Sequence, residues 1–82
     1  MNLLEEVLYD GYKQRIEYAY YLTLIDILMG ITTEEILSEM PEYERKEMYE
    51  FCEGIKRAID FSEDKNYSEI QKEILKLKDR YE

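Results

Sequence analysis

The residues able to do chemistry in this 82-residue chain are overwhelmingly carboxylates: Asp and Glu number 20, against 11 Lys and Arg and no histidine, for a net charge of −9. Carboxylates can chelate a hard cation, move protons in acid–base pairs, or meet a positively charged surface. Without histidine, the commonest general base, the commonest metal ligand and every Ser-His or Cys-His nucleophile pair are lost at once. Gly11, Gly30 and Gly54 lie too far apart to build a phosphate-cradling loop. The one cysteine, Cys52, shares its helical face with apolar residues and no base, so it reads as a small hydrophobe. Asp26 is the single charge in the run 18–29. It is either a switch or anchor with a raised pKa, or the point where a helix meets solvent. An enzyme is not expected, nor is a cofactor or metal.

Recognition by charge is what remains. Residues 30–64 hold eleven acids and four bases, residues 1–29 five and two, and residues 65–82 four and five. The acidic pole is therefore the middle of the chain. Such a balance repels phosphate backbones and anionic lipid surfaces, so direct nucleic-acid or membrane contact is not expected. The near-apolar run 18–29 also falls short of the ~20 residues that cross a bilayer. A single cysteine forms no internal disulfide, and no basic stretch precedes an apolar one at the start, which makes the cytoplasm the expected location. Nine of the eleven aromatic residues are tyrosine, a side chain that joins rigid contact area to a polar tip and suits protein recognition or the rim of a small core.

Positioning these groups falls to helices. With 45% apolar residues, one proline and abundant Glu, Lys, Leu and Ile, the chain favours a single all-α domain, a small bundle of four helices, over residues 1–82. The first and longest spans about 3–29, with a kink or break at Gly11 and a stop at Gly30. Its second half is apolar all round, which suits a central rod and leaves a homodimer open. Thr32 and Glu35 form a capping box that starts a short second helix, which Pro41 should end. A third helix, 42–61, carries Met48, Phe51, Cys52, Ile55, Ala58 and Ile59 on one face. Ser68 and Gln71 make a second capping box before a last helix whose face is Ile70, Ile74, Leu77 and Tyr81.

Two stretches resemble known motifs. Residues 60–71 resemble a degraded EF-hand loop, with oxygen side chains at alternate positions but Lys65 at the glycine turn and Gln71 in place of the bidentate Glu. Residues 30–52, through Thr32-Thr33-Glu34-Glu35 and Pro41-Glu42-Tyr43 to Met48-Tyr49, resemble the helix-turn-helix of small bacterial antitoxin-type proteins. That resemblance implies a second helix presenting Glu42, Tyr43, Glu44, Arg45, Lys46 and Glu47 to DNA, yet DNA readers rely on Lys and Arg. The charge instead favours a non-catalytic protein that binds a basic partner, a nuclease, effector or toxin, through Glu34, Glu39, Glu42, Tyr43, Glu44, Glu47 and Glu50. In its sharper form this is a nucleic-acid mimic, by analogy of charge and size with small phage-encoded inhibitors of nucleases and host-defence complexes. A helix-turn-helix regulator of antitoxin type is the alternative.

Overall fold

The computed structural model describes residues 3–81, with side chains from residue 11 onward. Four helices and no strand occur among them: α1 (Leu3–Leu28), α2 (Thr33–Arg45), α3 (Tyr49–Ser62) and α4 (Tyr67–Tyr81). Gly11 is carried inside α1 and does not end it. The chain then turns at Gly30, whose φ of 97° suits a residue without Cβ. Around it, the Gly30 N–H donates to the Ile27 carbonyl at 3.1 Å and the Ile31 N–H to the Asp26 carbonyl at 3.0 Å, the bond pair of a Schellman stop. Asp26 itself is exposed at this end of α1.

The second boundary differs from the sequence expectation. Pro41 lies inside α2, which runs on to Arg45, and the break falls at residues 46–48. A second Schellman stop makes that break: the Glu47 N–H donates to the Glu44 carbonyl at 3.0 Å and the Met48 N–H to the Tyr43 carbonyl at 2.9 Å. Proline in a helix removes one backbone bond but does not force a stop when the next turn can still be anchored, here by Tyr43 packing on the core beneath. At thirteen residues α2 is also close in length to α3. Thr32 caps α2 as expected, its hydroxyl accepting the Glu35 N–H at 3.2 Å. The cap of α4 is Asn66 instead of Ser68, its side-chain oxygen accepting the Glu69 N–H at 2.9 Å.

α1 and α3 run in the same direction and touch along most of α3. A Cβ placed on Gly54 would lie 2.4 Å from the Ile16 carbonyl oxygen, 2.7 Å from the Ala19 Cβ and 2.8 Å from the Tyr20 nitrogen, so the two backbones meet there. Ala19 and Ala58 are buried beside the crossing, and Leu24 is wholly enclosed. α4 returns alongside α1, and Tyr21, Leu24, Ala58, Ile70, Ile74 and Leu77 form the main core. A second, smaller cluster lies between α2 and α3: Ile36, Met40, Cys52, Ile55 and Ile59. Of the apolar faces read for the third and fourth helices, Cys52, Ile55, Ala58, Ile59, Ile70, Ile74 and Leu77 are buried and Phe51 and Tyr81 half-buried, while Met48 precedes α3 as its N-cap. The all-round apolar half of α1 is covered on two sides only, since Tyr18, Leu22 and Met29 remain 40%, 40% and 75% exposed.

One clasp joins the end of α4 to α1. Arg80 Nη1 donates to both carboxylate oxygens of Glu17 at 2.7 Å, and the Tyr81 hydroxyl donates to Glu17 Oε1 at 2.8 Å. The Tyr81 ring stacks on Tyr21 at a centroid distance of 5.2 Å. Arg80, and then Tyr81, hold the Glu17 carboxyl below the usual carboxylate range. Burial, together with the Glu17 carboxylate, pushes Tyr81 up to about 12, and burial beside Glu73 does the same to Tyr20.

Gly54→Ala forces the two backbones apart and should cost about 2 kcal/mol or more, despite the helix propensity gained. Thermal unfolding followed by circular dichroism should therefore drop by roughly 8–16 °C. Gly11→Ala meets only the Arg15 side chain, at 3.4 Å, and should be neutral or stabilising. The pH dependence has two limbs. Glu17, lowered in the folded state, stabilises above its unfolded pKa, and that stability is lost as pH falls through the folded value; Tyr20 and Tyr81, raised in the folded state, contribute below about pH 10, and that part is lost as pH climbs toward about 12. Urea midpoints should fall on both sides, and Tyr20→Phe should shrink the alkaline loss.

Candidate functional site

α2 is amphipathic at a period of 3.6, with Ile36 and Met40 buried and Tyr43 half-buried against α3. That one-sided burial leaves the rest of its circumference to carboxylates. Glu34 and Glu35 sit in the first turn, where the unpaired N–H groups of the helix favour negative charge. Glu35, Glu39 and Glu42 follow at i, i+4 and i+7 and so share one stripe, while Glu44 lies on the opposite flank. Glu35 joins the carboxylates expected from the sequence, and the signal for it is the i, i+4 spacing to Glu39.

The seven residues divide into two groups. Glu34, Glu39, Glu44 and Glu47 are exposed, and none has an ion-pair partner among the described residues. The others are engaged by the fold. Glu50 opens α3 and accepts from Arg15 of α1 at 3.0 Å. Its own backbone N–H and then the Arg15 guanidinium hold its carboxyl below the usual range. Glu42 is bound by Arg45 one turn on and by Lys46 at 3.6 Å, which lower its pKa in that order. Tyr43 is half-buried with its ring 6.3 Å from Phe51, part of the seam between α2 and α3. Arg15–Glu50 and Glu17–Arg80 join residues 35 and 63 positions apart, a separation that no local spacing reveals.

Glu47 stands apart in its backbone. Its φ is 59°, in the left-handed region that glycine or asparagine normally fills, and it is the one non-glycine residue with positive φ among those described. A glutamate there costs on the order of 1 kcal/mol relative to glycine. It places an exposed carboxylate on the turn between the acid-bearing α2 and α3.

The other candidates carry less chemistry. Cys52 is buried under α2, and burial, with the nearby Glu44 charge, pushes its thiol up, the opposite of what a nucleophile needs. In the EF-hand-like stretch, Asp60 and Ser62 belong to α3 and residues 67–71 to α4, so four residues are left between helices where a calcium loop needs twelve. No group of three potential metal-ligating side chains converges among the described residues. A groove of about 620 Å³ is lined by Tyr12, Ile16, Tyr20 and Phe61 with Arg57 at its edge, and its Glu17 is already held by Arg80. No helix among the described residues is long and apolar enough to cross a membrane. Comparison with protein-family models, with curated proteins and with solved structures returns no match.

The left-handed turn makes a direct prediction. Glu47→Gly should raise stability by about 0.5–1 kcal/mol, because relief of the strained φ outweighs the added freedom of the unfolded chain. A urea unfolding midpoint that is unchanged or lowered would contradict this reading of the turn.

Proposed function

We propose that this protein acts without catalysis, by binding a basic partner protein through the carboxylates of α2 and of the turn that follows it. The observation that carries the reading is the division just described: Glu42 and Glu50 are paired within the fold, whereas Glu34, Glu39, Glu44 and Glu47 face solvent with no cation assigned to them. Glu47 does so at a position where glycine is favoured. Unpaired like charges held on one element cost stability in isolation and are relieved by a surface of opposite sign.

The sharper form of the proposal is mimicry of nucleic-acid phosphate. Glu35, Glu39 and Glu42, the three glutamates that share one face of α2, span about 10 Å of helix at 1.5 Å per residue, or one carboxylate per ~5 Å along that face. A single DNA strand carries one phosphate per ~3.4 Å. A basic groove shaped for a strand would therefore meet a similar charge density along α2. The geometry of the helix-turn-helix-like stretch supports this reading over the regulatory one. Residues 42–45 close α2 and do not open α3, and α3 lies between α1 and α2 with Cys52, Gly54, Ile55, Ala58 and Ile59 buried.

The test uses the double variant Glu44→Lys, Glu47→Lys. A basic partner captured from cells that carry the gene should bind the parent chain and be released as salt rises from about 0.1 to 0.5 M, where screening shortens from ~10 Å toward 3 Å. The variant, shown to be folded by circular dichroism, should bind about 10–100-fold more weakly. Unchanged affinity would remove this face from the mechanism, and retardation of a DNA fragment by the parent chain would favour the regulatory role.

A further inference from the structure

We infer that α2 detaches from α3 and unfolds as a unit, bounded by the turns at residues 29–32 and 46–48, while α1, α3 and α4 stay assembled, and that this opening uncovers the apolar ridge Cys52–Ile55–Ile59. Five independent features set α2 apart. It rests on its own small cluster, separate from the core that joins the other three helices, with Ile27 as the α1 side chain reaching it. Two of its thirteen residues, Ile36 and Met40, are buried. Pro41 in its interior gives the Leu37 carbonyl no N–H to accept, so the helix is weakened midway. Its ion pairs, Glu42 with Arg45 and Lys46, are internal, whereas α1 is tied to α3 by Arg15–Glu50 and to α4 by Glu17–Arg80. Both flanking turns close on a positive φ, Gly30 at 97° and Glu47 at 59°, and the second is strained.

Elements with few buried apolar side chains and weak internal bonding open at the low end of a protein's stability range. The acid-bearing helix is thus also a gate over the ridge of α3. This inference does not depend on the proposed partner.

Cys52 is the single cysteine and lies beneath α2, so its thiol reports the opening directly. The experiment is reaction of the full chain with a fast thiol reagent across a urea series. Reaction in buffer should be at least about tenfold faster than global unfolding allows, with a urea dependence well below that of global unfolding. Pro41→Ala should slow it roughly tenfold and Glu47→Gly roughly threefold, because both stabilise the closed arrangement. Ile74→Val, which weakens the main core, should raise the globally unfolded population several-fold yet leave the reaction rate unchanged. Hydrogen exchange should show amides 37–40 and 42–46 opening together, ahead of amides 52–59. If Cys52 reacts with the urea dependence of global unfolding and accelerates in Ile74→Val, α2 does not open on its own and the inference is overturned.

Discussion

The close passage of α1 and α3 at Gly54 is the contact on which the rest of the molecule depends. Backbone meets backbone there, with a Cβ excluded by the Ile16 carbonyl and the Tyr20 nitrogen. Glycine inside a helix is disfavoured by about 1 kcal/mol against alanine, and here that cost is offset by the approach it permits. Ala19 and Ala58 complete the thin seam, and Leu24 fills the space beyond it. Because the two axes are so close, Arg15 reaches Glu50 and Tyr20 meets Phe61 edge-on at 6.2 Å. α4 then lies along α1, locked by Tyr81 on Tyr21 and by the Glu17 clasp.

With α1 and α3 seated against each other, α2 occupies the other side of α3 and has one face to bury. Its remaining surface is free to hold carboxylates that the core does not need. The fold thus uses its acids in two ways. Glu17 and Glu50 are each bound by an arginine from another helix and contribute to assembly, while Glu34, Glu39, Glu44 and Glu47 are displayed. We propose that these displayed carboxylates serve recognition of a cation-rich surface.

The four helices were legible in the residues because each follows its own apolar period and its own end signals. Cys52, Ile55, Ala58 and Ile59 repeat as a buried helix face should, Thr32 caps, and Gly30 stops. The errors lie where a local rule met a tertiary contact. Pro41 would end an isolated helix, yet Tyr43 packing beneath α2 carries it one turn further. Glutamate carries no signal for a left-handed turn, so the real break at Glu47 was hidden. Asn66 followed by Glu69 is as good a cap as Ser68 followed by Gln71, and the chain uses Asn66. The acidic face was visible as a composition. The pairing of Glu42 with Arg45 and Lys46 is local and legible in the spacing, whereas that of Glu50 is not, because its arginine, Arg15, comes from a distant part of the chain.

The measurement that tests the central claim most directly is a hydrogen-exchange footprint of the chain with its captured basic partner. Added protection should be confined to α2 and the turn after it, residues 33–48, and should vanish at high salt. Protection centred on α1 or α4, or protection that persists at high salt, would contradict the account.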